Sequence, residues 1–517
     1  LKYRDYFLLF LVAAYGVYAP IAAELDIDFP MKFIVAGMAV VILILTTYTS
    51  STLAQVKCLL GVAFIGIEQI MFTIPVILIP QVVVSLIRKR GTVLKKWSFL
   101  SLAFFALVIV QLIVSNAIEF SGYTILFWYL IFGFTFIFFI LFSQKQYSYE
   151  DVVEIFAFLR KLILLELVVL ILQSFIHRDL RPGDHWNGSF LDPDKTGFYI
   201  TLLLLFYLLP PLLRRDFSIV KLTLPKTVAY VAVLTLFVIL CDSKIKSFLT
   251  IASVFSLSIL CLIIFLVRKS FSISRTKALT LFGVIILSTT IIAATINAYL
   301  RYISESQLTV RSVIGQYTTN PPPGLVAYGV NGKYLLYERV YRDLLREDPL
   351  KWVWGEGPGK FNSRTSNMLA YDVLYKDPDQ FKLPAYIPPY SSPMVKKYMA
   401  GMWTREKAEF ITFISANLSF PFAGWITVKG EMGIIGVIGY LLLTLGIAYY
   451  LVRSMDGIDD SRLKNWALVL AVFWLSLPLQ MLVDNIQEKP QIMYPMLVLT
   501  AVLLGHANAK KMDVNHQ

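Results

Sequence analysis

Residues 464–511 read KNWALVLAVFWLSLPLQMLVDNIQEKPQIMYPMLVLTAVLLGHANAKK. Two apolar runs flank a short connector that carries Asp484 and Glu488, and Lys510 and Lys511 follow the second run. Each run has the length that carries a helix across a bilayer core. Inside lipid every backbone amide must be bonded within its own segment, so such runs are helices. A membrane barrel would show short alternating segments instead.

Outward from this stretch the pattern repeats. The chain has 517 residues, 57% of them hydrophobic and 16% charged, against about 25% charged in ordinary soluble domains. Its mean hydropathy is +0.67. The expected fold is an all-α polytopic membrane protein of about 14 spans (about 12 to 14) with one large, partly helical extracytoplasmic loop. The spans read as 6–23, 31–49, 55–69, 71–87, 98–115, 122–142, 154–175, 195–212, 227–241, 246–267, 277–300, 432–453, 464–484 and 491–506. The third and fourth are short and carry Glu68, and read alternatively as one long kinked helix plus an interfacial piece. The first run reads as a span rather than a cleaved leader. The chain divides into an N-terminal bundle (1–300), the loop (301–431) and a C-terminal bundle with a tail (432–517).

A net charge of +13 raises the question of nucleic acid. The basic residues lie mostly in short connections between apolar runs, which is the positive-inside pattern, so no nucleic-acid partner is expected. Arg88, Lys89, Arg90, Lys95 and Lys96 form one such group, and Arg214, Arg215, Lys221 and Lys226 another. Alternate connections are acidic or neutral. Both termini come out cytoplasmic, and 176–194, 242–246 and 301–431 fall outside. Cys58, Cys241 and Cys261 lie in or beside apolar runs, so no disulfide framework is implied.

Four stretches on the outer side carry chemistry. In 333–347, KYLLYERVYRDLLRE, Leu336, Val340 and Leu344 share one helical face and Arg339, Arg342 and Arg346 another; Pro349 ends the helix. The arginines read either as a phosphate clamp or as a solvated face with Glu338–Arg342 and Arg339–Asp343 ion pairs. In 355–361, GEGPGKF, the glycines permit either a close approach to a ligand or a tight structural turn. No strand–turn–helix pattern surrounds it, so it is neither a Walker loop nor a dinucleotide fingerprint. In 242–247, DSKIKS, Lys244 and Lys246 either contact an anionic head group or snorkel to the interface. The loop 177–194, HRDLRPGDHWNGSFLDPD, collects His177, Arg181, His185, Asp192 and Asp194 with turn formers. Its histidine spacing matches no zinc motif. A further helix is expected near 393–415. Trp352, Trp354, Trp403 and Trp425 suit either sugar stacking or an interfacial belt.

Taken together, these stretches resemble the bacterial O-antigen ligase and polymerase superfamily. That family has many spans and a large periplasmic loop that opens with an arginine-bearing helix and continues into P-x-x-G-x-G-P-G-x-F. Arg339 matches the helix position. Pro349 followed by Gly355 to Phe361 matches the glycine stretch, with a few extra residues between. Glu431-Met-Gly433-Ile-Ile-Gly436 resembles the family's E-x-G-x-x-G entry into a span. Ser243-Lys244 resembles its S-R-G, with lysine for arginine, and Arg181, Gly183, Asp192 and Pro193 resemble its R-x-x-G…D-P segment. The resemblance covers roughly 176–450. One departure stands out: Phe422-Ala423 occupies the place where the family's ligases carry His-Asn.

The resemblance implies a metal-independent glycosyltransferase without a cofactor, closer to the polymerase branch. It would join undecaprenyl-pyrophosphate-linked oligosaccharides in the bacterial inner membrane, alongside membrane lipids, a chain-length regulator and a flippase. On that reading Arg339, Glu338 and Glu356 are the catalytic candidates. Arg181, Lys244, Lys246, Arg342, Arg346 and Lys360 are the substrate-binding candidates. The alternatives are a ligase-like transferase to lipid A core or protein, and a flippase or transporter, for which Arg160, Lys161 and Glu166 would be charges in or near a span. No internal repeat of the transporter kind is evident.

Overall fold

The computed structural model describes residues 2–24, 29–49, 51–67, 96–118, 121–128, 145–177, 188–190, 192–214, 223–241, 336–370, 387–399, 423–482 and 484–516, with a few positions within 70–80, 139–142 and at 373. Among these residues every regular element is helical. We number the helices α1 (Lys2–Glu24), α2 (Phe29–Thr49), α3 (Thr52–Ala63), α4 (Lys96–Ile118), α5 (Gly122–Trp128), α6 (Tyr149–His177), α7 (Pro193–Arg214), α8 (Leu224–Leu240), α9 (Leu344–Glu347), α10 (Pro349–Trp354), α11 (Arg364–Leu369), α12 (Gly424–Ser454), α13 (Ser461–Gln480) and α14 (Pro490–His516).

Four segments among the described residues are long and apolar enough to cross a membrane: Ser98–Ser115, Gly424–Gly457, Ser461–Gln480 and Pro490–Asn508. Burial sorts them. In α13 and α14, 83% and 94% of the apolar window is buried, so these helices form the centre of the bundle. In α4 only 33% is buried. Its exposed large hydrophobic residues are Phe99, Leu102, Ile109, Val110, Ile113 and Val114, an apolar surface suited to lipid rather than water.

The described ends of the helices depart from the sequence reading in three places. The stretch expected to span from 55 to 69 is α3, only 12 residues long. At 1.5 Å per residue it reaches about 18 Å, short of a bilayer core. Ten of its residues are buried, so it is a short internal helix. The span expected from 432 begins earlier, at Gly424, but is interrupted at Gly433 (φ 66°, ψ −169°). Pro349 does not merely stop a helix. Asp348 breaks the first one and caps the next, its carboxylate accepting the Lys351 N–H at 3.0 Å, and Pro349 is the first residue of α10. Proline fits there because the first-turn amide has no helical partner. The expected spans 246–267 and 277–300, and the expected helix beyond 399, lie outside the described residues.

Polar contacts gather at two ends of the bundle. At one end Lys57 joins Asp5 (2.6 Å) and Glu154, Tyr149 donates to Asp460 (2.7 Å), and His506 meets the Tyr147 carbonyl. At the opposite ends of α6, α13 and α14, Gln173 bonds Gly188, and Lys489 joins Asp484 (2.6 Å) and Asp194 (3.4 Å). Glu166 is fully buried and accepts from the Ser189 amide and hydroxyl, so it anchors 188–190. Arg160 and Lys161 are exposed. This second end carries residues 336–370 and 387–399, which have a small core of their own: Leu336, Val340, Leu344, Phe361, Val395 and Met399 among others.

Candidate functional site

The site is a seam at that second end, where 355–364 closes over the broken start of α12. The backbone N–H groups of Glu356 and Gly357 donate to the carbonyls of Gly430 (2.8 Å) and Glu431 (2.9 Å). Backbone contact this close requires glycine on both sides. A Cβ on Gly355 would stand 2.3 Å from the Glu431 carbonyl, and one on Gly433 would stand 1.9 Å from the Val353 oxygen. Of the two readings of GEGPGKF, the tight turn is what this geometry displays: the close approach is to α12.

Two buried carboxylates hold the rest of the seam. Glu431 accepts from the Phe361 amide at 3.1 Å and also from Gly359 and Ser363. Glu488 accepts from the Arg364 amide at 2.8 Å. Between them Thr427 donates to the Asn362 carbonyl at 3.0 Å, which Asn485 also reaches at 3.3 Å. Satisfied buried amides of this kind fix a loop in one position, because leaving one unmade costs about 1–3 kcal/mol.

Two lysines are enclosed beside them. Lys360 is 2% exposed, donates to the Ser115 carbonyl at 3.2 Å and lies 5.9 Å from the Tyr390 ring centre. Lys429 is fully buried, donates to the Trp352 carbonyl, and lies 4.2 Å from the Trp352 ring centre and 5.7 Å from that of Tyr341. Ring faces attract a cation most when water is excluded.

Arg339 opens a π-helical turn, Arg339–Asp343. Such turns are rare, and many mark functional positions. Its guanidinium donates to the Tyr398 carbonyl, so the expected Arg339–Asp343 pair is not what holds it. Asp343 pairs with Arg342 instead, and Arg342 also pairs with Glu338 as the spacing predicts. Arg342 and Arg346 are exposed. Glu356 is buried and paired with Lys351 at 2.7 Å. The structure therefore brings Lys360 and Glu356 into the seam and links Arg339 to it through the 392–399 stretch, where Ser392 donates to the Lys360 carbonyl at 2.7 Å. Arg181, Lys244 and Lys246 lie outside the described residues.

No family model matches the chain, and no curated protein matches its sequence.

Sequence reasoning passed over Lys429, Asn485 and Glu488 as site residues. Glu488 reads as a connector acid. A charged residue within an apolar stretch, as Lys429 is in GWITVKGEMG, was the available signal. Burial pushes the Glu488 carboxyl up to about 7; the hydrogen bond from Arg364 and its positive charge pull the other way. The folded chain then keeps a proton that the unfolded chain loses above about 4.5. That contribution to stability is fully present below pH 4.5 and is lost as pH rises through about 7. It amounts to a few kcal/mol, on the order of 3. Thermal unfolding of the purified protein should show wild type losing more stability than Glu488→Gln between pH 5 and pH 8. Parallel pH profiles would exclude a raised Glu488.

Proposed function

We propose that the protein is a polysaccharide polymerase that joins undecaprenyl-pyrophosphate-linked oligosaccharide units. The observation that supports it is the seam. Two stretches that resemble the superfamily's motifs, 355–361 and 431–436, are far apart in sequence and pack on one another, with Lys360 and Lys429 enclosed at the same end of the helices.

In this reading a hydroxyl oxygen of one unit attacks the anomeric carbon of the other. The new carbon–oxygen bond forms as the bond to pyrophosphate breaks, and the pyrophosphate departs with the electron pair. The hydroxyl proton passes to a carboxylate base. Arg339 holds the pyrophosphate, whose growing charge is stabilised by paired hydrogen bonds. In this proposal Glu338, partly exposed and paired with Arg342, is the carboxylate that takes the proton. Glu356, tied to Lys351 and to the Gly430 carbonyl, positions the loop. The enclosed lysines add positive potential near the membrane surface.

The seam faces the periplasm or cell exterior, and both chain termini face the cytoplasm, of a bacterial inner membrane. A reporter fused after residue 370 should read as extracytoplasmic; a cytoplasmic signal contradicts the orientation. The function is tested by a glycan ladder on a gel. Deleting the gene in its host should leave single-repeat glycan, and the wild-type chain should restore the ladder. Long glycan that persists on its lipid carrier in the deletion strain would instead favour a ligase. An unchanged ladder would refute both.

A further inference from the structure

The short helix α10 and the turn before it present an apolar edge. Leu350 is 69% exposed and Leu345 is 45% exposed. Neither is needed for the small core beneath, which is filled by Leu336, Val340 and Leu344 on the other face. Exposed leucines alone need no explanation; what gives these two meaning is where α10 sits.

The Trp354 carbonyl accepts from Gln111 of α4 at 3.4 Å, and the same amide reaches the Met432 carbonyl of α12 at 2.5 Å. Gln111 lies inside the membrane-length segment Ser98–Ser115. Its neighbours Ile113 and Val114 are 65% and 46% exposed, and Ile438, just past the α12 break, is 51% exposed. The C-terminal end of α10 is thus level with the outermost apolar turns of two helices suited to lipid. Leu350 is four residues away, about 6 Å along a helix. Arg342 and Arg346 are exposed on the turns that precede α10, and Trp352 and Trp354 are partly exposed on α10. Long basic side chains and indoles are the groups that partition to the headgroup layer.

We infer that the Leu345–Leu350 edge is seated at the headgroup–acyl boundary of the bilayer, so that 342–354 forms an interfacial anchor for the segment above it. Acidic residues on the same stretch are already engaged: Glu347 with Lys397 and Tyr398, and Asp348 with the Lys351 amide. The inference does not depend on the proposed reaction, since it requires only a bilayer.

The test uses the full-length protein in nanodiscs of phosphatidylcholine and phosphatidylglycerol. A nitroxide is attached through L350C, and separately through K396C on the exposed side of the Val395–Met399 turn, with Cys58, Cys241 and Cys261 replaced by alanine. The label at 350 should be more accessible to oxygen than to a water-soluble nickel complex, at a depth of about 5–10 Å below the phosphates. The label at 396 should show the reverse. Equal nickel accessibility at both positions would overturn the inference. Should the cysteine-free chain fail to fold, hydroxyl-radical footprinting of the wild-type protein gives the same decision. Leu345 and Leu350 should be protected in nanodiscs despite their exposure on the chain itself, and oxidation at the level of other exposed leucines in water would overturn the inference.

Discussion

Gly433→Ala should destabilise the protein by roughly 3 kcal/mol or more. Two costs combine. The residue has φ 66° with ψ −169°, a region that side chains other than glycine avoid. The added methyl would also stand 1.9 Å from the Val353 carbonyl oxygen, which belongs to backbone and has little freedom to yield. The consequence reaches beyond α12, because relieving the clash lifts α10 and with it the docking of 355–357 on Gly430 and Glu431. Chemical unfolding in detergent measures the loss. Gly37→Ala is the control: a Cβ there meets nothing within 4 Å, and alanine is the better helix former, so stability should hold or rise slightly. Equal behaviour of the two variants would mean that the α12 break is not fixed by this contact.

Much of this seam was visible in the sequence, and the reason is physical. The glycines of 355–361 signalled either a close approach to a ligand or a tight turn, and the close approach is to the start of α12; Gly433 entered only through the motif resemblance, and it meets the Val353 carbonyl. Leu336, Val340 and Leu344 signalled one buried face, and all three are buried. Periodicity survives even the π turn because the apolar face still has to be covered. The break in α12 was less legible, since a run of apolar residues continues through Gly433 and hydropathy does not register a single reversed φ. Burial order was not legible at all. The windows of α4 and α14 are both apolar, yet one is peripheral and the other central, and only packing distinguishes them. Glu488 escaped for a related reason: a connector acid looks solvated until the 361–364 segment is folded over it. The arginine stripe was legible as one helical face, and of its three residues the proposal keeps Arg339 as the phosphate clamp. Arg342 is ion-paired, Arg346 is exposed, and Arg339 is turned toward Tyr398.

That orientation of Arg339 makes it the residue on which the proposed chemistry depends most. A guanidinium held by a carbonyl on one side keeps other N–H donors for a second acceptor, and a pyrophosphate offers paired oxygens. Removing such a donor from a developing anion typically costs about 100-fold or more in rate. Lysine at the same place restores the charge without the fork, so it should recover only part of the activity. A purely structural role, in which Arg339 only holds the Val395–Met399 turn, would give a different pattern: loss of activity in step with loss of folded protein.

The deciding measurement is turnover by purified protein in detergent or nanodiscs on lipid-linked oligosaccharide, following release of undecaprenyl pyrophosphate together with growth of the glycan. Wild type should release one lipid pyrophosphate for each unit added. Arg339→Ala should fall by about 100-fold per folded molecule, far more than the modest drop in its melting temperature from losing the Tyr398 contact explains, and Arg339→Lys should lie between. Turnover by Arg339→Ala equal to that of wild type would contradict the mechanism, and no turnover by well-folded wild type would contradict the function itself.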